Sequence, residues 1–151
     1  MTAVLSEPLL DAQVVVRGEP LPGFPVDPNT TAVVAGRLVL WLGPDEWLVL
    51  GGREEDFPGA AAAVDVSANR VALELSGPAA ASVLARGCPL DLDASALAPG
   101  ACAQTLVGKA QVILHRPASE RFTLLVRPSF APYLRAWLRT AIVELGAEAA
   151  A

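Results

Sequence analysis

Apolar and polar positions alternate through Val71, Leu73 and Leu75, with Ala72 and Glu74 between them, which is the period of a strand whose two faces differ. The strand stops at Ser76-Gly77-Pro78. Ser76 or Gly77 is expected to cap a helix there, with Pro78 in a first turn where the missing N–H would have had no partner anyway. Ala79, Ala80, Val83 and Leu84 then fall on one helical face, and Gly87 is expected to supply a left-handed stop. The clearest helix comes last. Phe130, Tyr133, Leu134, Trp137, Leu138, Ala141, Ile142 and Leu145 recur at three and four residues, while Arg135, Arg139 and Glu144 take the wet side. That periodicity places Trp137 in the core, with Ser129 as cap, Pro132 in the first turn and Gly146 as the stop.

The remaining pattern is rich in β structure. Residues 1–12 read as a loose lead-in and Val14–Val16 as the first strand. Pro20, Pro22, Pro25 and Pro28 forbid helix or central strand, so this segment is expected to cross the surface. Arg37–Leu42 and Glu46–Leu50 form a hairpin around Gly43-Pro44-Asp45, and both of its faces are apolar, as in a sheet covered on two sides. Residues 53–63 hold a weak short helix, and Val64–Ser67 leads into the central strand. A loop follows at 93–100 with one helical turn near Ser95–Leu97, and then a second hairpin from strands at 105–107, 110–115 and 122–126. The tail at 147–151 is expected to fray. Val14–Pro20 echoes Leu73–Pro78, and the hairpin carrying Trp41 and Trp47 echoes the one carrying Ile113 and Phe122. The reading is one α+β domain over residues 1–151, built of two pseudo-repeated β-α-β-β-α units at about 13–64 and 65–146. Their antiparallel sheets are backed by helices, and the first unit's helices are eroded.

Composition narrows the partners. Hydrophobic residues make up 53% of the chain and charged ones only 18%, so some apolar excess is expected to face another protein. Eleven Lys and Arg against sixteen acids give a net charge of -5, which argues against nucleic acid. No apolar run approaches the roughly 20 residues that span a bilayer. The first residues carry Glu7 and Asp11 before any basic residue, unlike a secretory leader, so a cytoplasmic protein without a membrane role is expected. Cys88 and Cys102 lack metal-ligand spacing and read as buried, reduced thiols.

Reactive chemistry is thin. His115 is the one histidine, and it is read as an exposed structural residue. No strand-nucleophile-helix elbow joins it to Cys88, Cys102, Ser67 or Ser76. Ser76-Gly77-Pro78 lacks the repeated glycines and lysine of a phosphate cradle, and no GxGxxG is present. No catalytic, cofactor-binding or metal-binding residue is therefore assigned. Candidate interface residues are assigned instead. Asp65, Ser67 and Arg70 form a polar cluster that serves either as a hydrogen-bonded turn or as a subunit contact, and Gln104 and Thr105 are candidates of the same kind. Trp41 and Trp47 flank the hairpin turn as core residues or partner anchors.

Four motifs carry a resemblance: Trp41-Leu42-Gly43-Pro44-Asp45-Glu46-Trp47-Leu48, Leu75-Ser76-Gly77-Pro78-Ala79-Ala80, Gly87-Cys88-Pro89-Leu90-Asp91-Leu92, and Ala98-Pro99-Gly100-Ala101-Cys102-Ala103-Gln104-Thr105. In this order, across roughly residues 14–145, they resemble the gamma subunit of heterotetrameric sarcosine oxidase. The resemblance implies a fold like that of the glycine-cleavage T-protein, with a longer helical stretch where this chain has its prolines. It also implies a complex that demethylates sarcosine to glycine, with tetrahydrofolate accepting the one-carbon unit. In that complex an alpha subunit carries NAD and a folate-binding region, a beta subunit carries flavin, and a delta subunit carries zinc; the gamma chain carries no cofactor. A histidine can follow the serine at position 67 in this family, and here Ala68 stands there. Two other readings stay open: a free-standing tetrahydrofolate-binding protein of the T-protein superfamily, and a small hydrolase using Cys88 or Ser67.

Overall fold

Eleven strands and two helices are formed by the residues described in the computed structural model, 1–146 and 148–149. The strands are β1 (Thr2–Ser6), β2 (Gln13–Arg17), β3 (Thr31–Val34), β4 (Arg37–Gly43), β5 (Glu46–Leu50), β6 (Ala62–Asp65), β7 (Val71–Ser76), β8 (Cys102–Val107), β9 (Ala110–Ala118), β10 (Arg121–Val126) and β11 (Glu148–Ala149). The helices are α1 (Ala80–Ala85) and α2 (Ala131–Glu144). No described helix is long and apolar enough to cross a membrane. The chain forms two compact units, one of Leu10–Asn69 and the other of Met1–Leu9 with Arg70–Ala151.

The Leu10–Asn69 unit is a five-stranded antiparallel sheet in the order β3-β4-β5-β2-β6. The β4–β5 hairpin forms as its pattern requires, with Trp41 opposite Trp47. Strand β3 is an addition to the pattern reading. Ala35 and Gly36 both take positive φ, 51° and 75°, giving the two-residue turn whose twist matches that of its flanking strands. The run Thr30-Thr31-Ala32-Val33-Val34, β-branched except at Ala32, before Ala-Gly was the available signal. One face of the sheet buries Val14, Val16, Val39, Trp47 and Val49 beneath Phe24 and Phe57. On the other face Leu40 and Leu48 are also fully buried, so the centre of the hairpin is covered on both sides.

The proline segment is therefore more than a surface crossing. It brings Phe24 edge-to-face against Trp47 at 5.6 Å and accepts the Trp47 indole N–H on the Pro25 carbonyl at 2.8 Å. With no α-helix in this unit, aromatic loop residues must keep water off the sheet. The short helix expected within 53–63 shrinks to a 3-10 turn at Glu54–Asp56, ahead of β6.

The other unit is a six-stranded sheet in the order β11-β1-β7-β10-β9-β8, antiparallel apart from the short β1–β11 pair. Leu73, Leu75, Val112, Leu114, Phe122, Leu124 and Val126 line one of its faces and pack against Ala80, Val83 and Leu84 of α1 and Leu134, Leu138 and Ile142 of α2. The expected loose lead-in is corrected here, because β1 pairs with β7 and buries Ala3 completely. Of the tail expected to fray, residues 147, 150 and 151 lie outside the described residues, whereas Glu148–Ala149 pairs with Thr2–Ala3.

Neither helix has the expected side-chain cap. The α1 entrance is held by backbone, with Ala79 N–H donating to Thr2 O at 2.9 Å and Ala80 N–H to Gly77 O at 3.1 Å. Gly77 adopts φ +112°, and a Cβ there would come within 2.6 Å of Thr2 O. Ser129 lies in a 3-10 turn, Pro128–Phe130, that feeds α2 without a cap bond, and Gly146 ends α2 at φ +75° as its position predicts. Gly87 is not left-handed. Its missing side chain leaves room for the Trp137 ring, which rests half-buried at the margin of the core rather than in its centre.

The connection from Gly87 to Ala101 carries no helix or strand; Leu92 and Leu97 anchor it in the core, and the Arg116 side chain ties down its carbonyls. Arg116, buried in β9, donates from Nη1 to Leu92 O (2.9 Å) and Leu97 O (2.7 Å), from Nη2 to Ser119 O (2.7 Å) and from Nε to Ser119 O (3.2 Å). Its guanidinium also lies 4.8 Å from the Phe122 ring centre. Arg116→Leu strands three carbonyls and is expected to cost about 2–4 kcal/mol in urea unfolding, with proteolysis appearing first between residues 88 and 101. Gly77→Ala, forced into both strain and a backbone collision, is expected to lower stability by about 2 kcal/mol or more in the same assay.

Candidate interaction site

A groove of about 380 Å³ opens on the sheet of the second unit, lined by Arg70, Gln104, Thr105, Leu106, Gln111, Val112, Ile113 and Arg127. Strand register explains the grouping. Gln104 faces Ile113 and Leu106 faces Gln111 across β8 and β9, and these four alternate away from Val112, so they lie on the face without helices. The ladder of β7 and β10 ends at Val71 opposite Val126, which makes positions 70 and 127 the next facing pair. The result is an apolar floor at Ile113, a half-exposed Leu106, two carboxamides and two guanidinium-bearing residues, with no acid in the lining. Guanidinium and carboxamide groups are hydrogen-bond formers, and the guanidiniums make the lining cationic. It offers no imidazole, thiol or carboxylate to move a proton.

The predicted interface residues distribute unevenly. Arg70, Gln104 and Thr105 meet in this groove, although Gln104 and Thr105 lie more than thirty positions from Arg70 in the chain. Of the two readings open for Trp47, it takes that of a core residue: it is fully buried, and its indole N–H is taken by the Pro25 carbonyl. Trp41 is half-buried against the same aromatic cluster. Asp65 and Ser67 form a turn network. Asp65 Oδ1 accepts from Ser67 N–H at 2.8 Å, Ser67 Oγ accepts from Gln13 N–H at 3.0 Å, and Gln13 Nε2 donates to Ser67 O at 3.1 Å. The hydrogen bonds from the Ser67 side chain and backbone hold the Asp65 carboxyl below its ordinary range. Leu106, Gln111 and Arg127 are not among the residues the sequence singles out for an interface, because their convergence arises from strand pairing rather than from any local motif.

His115 is corrected from exposed to buried, at 8% exposure. Burial, and secondarily the charge of Arg121, push its pKa down to about 4. It faces Cys102 across β8 and β9, and Cys102 is fully buried. Cys88 and Cys102 are both buried and neither is in a disulfide, with Cys88 Sγ 3.9 Å from Thr105 Oγ1. Among the described residues no three His, Cys, Asp or Glu gather as a metal site.

The model of the sarcosine oxidase gamma subunit family matches residues 22–144. The chain belongs to that family. It is 38% identical over 136 residues to the sarcosine oxidase subunit gamma of Corynebacterium sp. (strain P-1), covering 80% of this chain and 66% of that protein. It is 36% identical over 132 residues to the subunit gamma from Arthrobacter sp, covering 81% and 65%. The chain thus spans just under two thirds of the length of the curated relatives it matches. A chain of the heterotetrameric sarcosine oxidase from Corynebacterium sp. U-96 in complex with pyrrole 2-carboxylate aligns with a TM-score of 0.83 at 29% identity, over 99% of this chain and 88% of that one.

The buried imidazole sets a pH dependence. Its folded pKa lies below the unfolded value of 6.5, so its neutral form stabilises the fold fully above pH 6.5, and that contribution is lost as pH falls toward about 4. Unfolding free energy is expected to drop by on the order of 2–3 kcal/mol across this window, and His115→Gln is expected to flatten the slope measured by urea titration.

Proposed function

We propose that this chain is the non-catalytic gamma-type subunit of a heterotetrameric sarcosine oxidase acting in the cytoplasm, where it supports the other subunits by contact area. The observation that carries this is the likeness of almost the whole chain to one chain of a solved heterotetrameric sarcosine oxidase. On this reading alpha, beta and delta chains hold the NAD, flavin, tetrahydrofolate and zinc, and this chain holds none of them. Its contact surface includes Trp41, Asp65 and Ser67 in one unit and Arg70, Gln104 and Thr105 in the other. Exposed Val143, Leu106 and Phe130, at 74%, 42% and 44%, fit a protein that meets partners.

We also infer that the two units are diverged copies of one T-protein-like repeat forming a single gamma-type domain over residues 1–151. Strands β3-β4-β5-β2 of one sheet and β8-β9-β10-β7 of the other run in the same order by chain position, which supports the duplication. Only the second copy carries α-helices among the described residues.

Co-expression with the other three subunits is expected to yield one complex containing this chain and oxidising sarcosine, with assembly or oxygen consumption failing when the chain is omitted. Expressed alone, it is expected to self-associate in sedimentation velocity. Tight tetrahydrofolate binding by the isolated chain in calorimetry would instead favour the free-standing folate-binding reading.

A further inference from the structure

We propose that the solvent-facing side of α2 seats an amphipathic helix of a neighbouring subunit, apolar along its middle and carrying Asp or Glu at its margins. This rests on the subunit role above. It adds where the contact is made and what chemistry meets it.

The first argument is the pattern around the helix. Leu134, Leu138, Ala141 and Ile142 bind one side of α2 to the core of its own unit. Tyr133, Ala136, Thr140 and Val143 recur at three and four residues on another side, so they form one exposed row that carries no charge. Val143 stands 74% exposed in it, and Phe130 and Tyr133 stand 44% and 37% exposed at its start. Of the charged residues in α2, Arg135 is paired with Glu7 and Glu144 with Arg86, which leaves Arg139. A helix apolar on two sides is built to be covered on both.

The second argument is shape. Tyr133 Oη accepts the Lys109 N–H at 3.0 Å, and the Tyr133 and Phe130 rings meet edge to face. The β8–β9 turn sits so close that a Cβ at Gly108 would come within 2.6 Å of the Tyr133 hydroxyl. The aromatic end of the row is thus held in place before any partner arrives, which lowers the entropy lost on binding. Between it and Val143 stand the small side chains of Ala136 and Thr140, a depression that takes the side-chain ridge of a second helix. A lipid surface has no such ridge to fill it.

The third argument is charge. Lys109 borders the row on one side and Arg139 on the other, and neither has an ion pair among the described residues. Arg139 acts on Glu7 only at longer range, and that carboxylate is taken by Arg135. Acids at the partner's margins answer both cations, as in an interface with an apolar centre and a polar rim. A second copy of this chain does not, because with both margins cationic any twofold contact of α2 with its twin sets cation against cation. The occupant is therefore a different chain.

The test uses the full chain co-purified with its partner subunits through a tag on one of them. Ala136→Glu and Val143→Glu are each expected to weaken retention at least about tenfold, and Arg139→Glu to weaken it at low salt with a smaller loss at high salt. Val33→Glu, at a position 72% exposed in the other unit, is expected to leave retention unchanged, and circular dichroism of each variant verifies folding. In the complex, Thr140→Cys is expected to be protected from maleimide while Val33→Cys reacts. Lys109 is the one lysine, so a zero-length carbodiimide is expected to join it to an Asp or Glu of a neighbouring subunit, located by mass spectrometry. Normal retention of the folded α2 variants overturns the proposal, as does maleimide reaching both cysteines alike. So does a Lys109 crosslink absent or confined to this chain or a second copy, or flotation of the chain on phosphatidylcholine–phosphatidylglycerol vesicles with assembly indifferent to Val143→Glu. A wild-type chain that never co-purifies removes the subunit role itself, and the occupant of this face with it.

Discussion

Strand β7 is hydrogen-bonded along both edges, to β10 through six facing pairs and to β1 through three, and the larger unit depends on that double engagement. Leu73 and Leu75 are fully buried beneath the helices, whereas Val71 at the start of the strand is partly exposed. Directly after it, Gly77 turns the chain so tightly that Thr2 O accepts the Ala79 N–H. The first strand, the central strand and the first helix are thereby fixed by one backbone junction. Loss of β1 would leave β7 as an unpaired edge, the state that natural sheets avoid.

Around this junction, polar side chains serve as fasteners more than as reagents. Arg116 carries a buried charge that is tolerable because carbonyl oxygens occupy its donors and Phe122 lies beneath it. Ser67 and Asp65 do comparable work for the turn after β6, and Pro25 does so for Trp47. His115 stays neutral because burial makes its charged form costly. The groove of the second unit is lined likewise by amides and guanidinium-bearing residues, with no acid, thiol or imidazole in its lining.

Periodicity was enough for much of the fold. The strands at 71–76 and 122–126, the hairpin of β4 and β5 and the helix of residues 131–144 repeat at two or at three and four residues, and the core faces follow from those periods. Strand β1 was not legible, because Thr2–Ser6 has only one fully buried position and takes its partner from seventy residues away. The proline segment looked like surface for a similar reason. Its composition forbids regular structure but does not reveal that Phe24 and Pro25 close over Trp47. Of the site, Arg70, Gln104 and Thr105 were singled out separately, while Arg127, Leu106 and Gln111 join them solely through register.

Local residue order was thus sufficient for element type, for the apolar stripes and for the family motifs, since each depends on neighbours a few positions apart. Folding in three dimensions determined which glycine was needed for space rather than for a turn, which tryptophan was sealed, whether the histidine met water, and which cations came to share a groove. Those outcomes are set by atoms brought together from distant parts of the chain. Strand pairing specifies that proximity, and no short window of sequence records it.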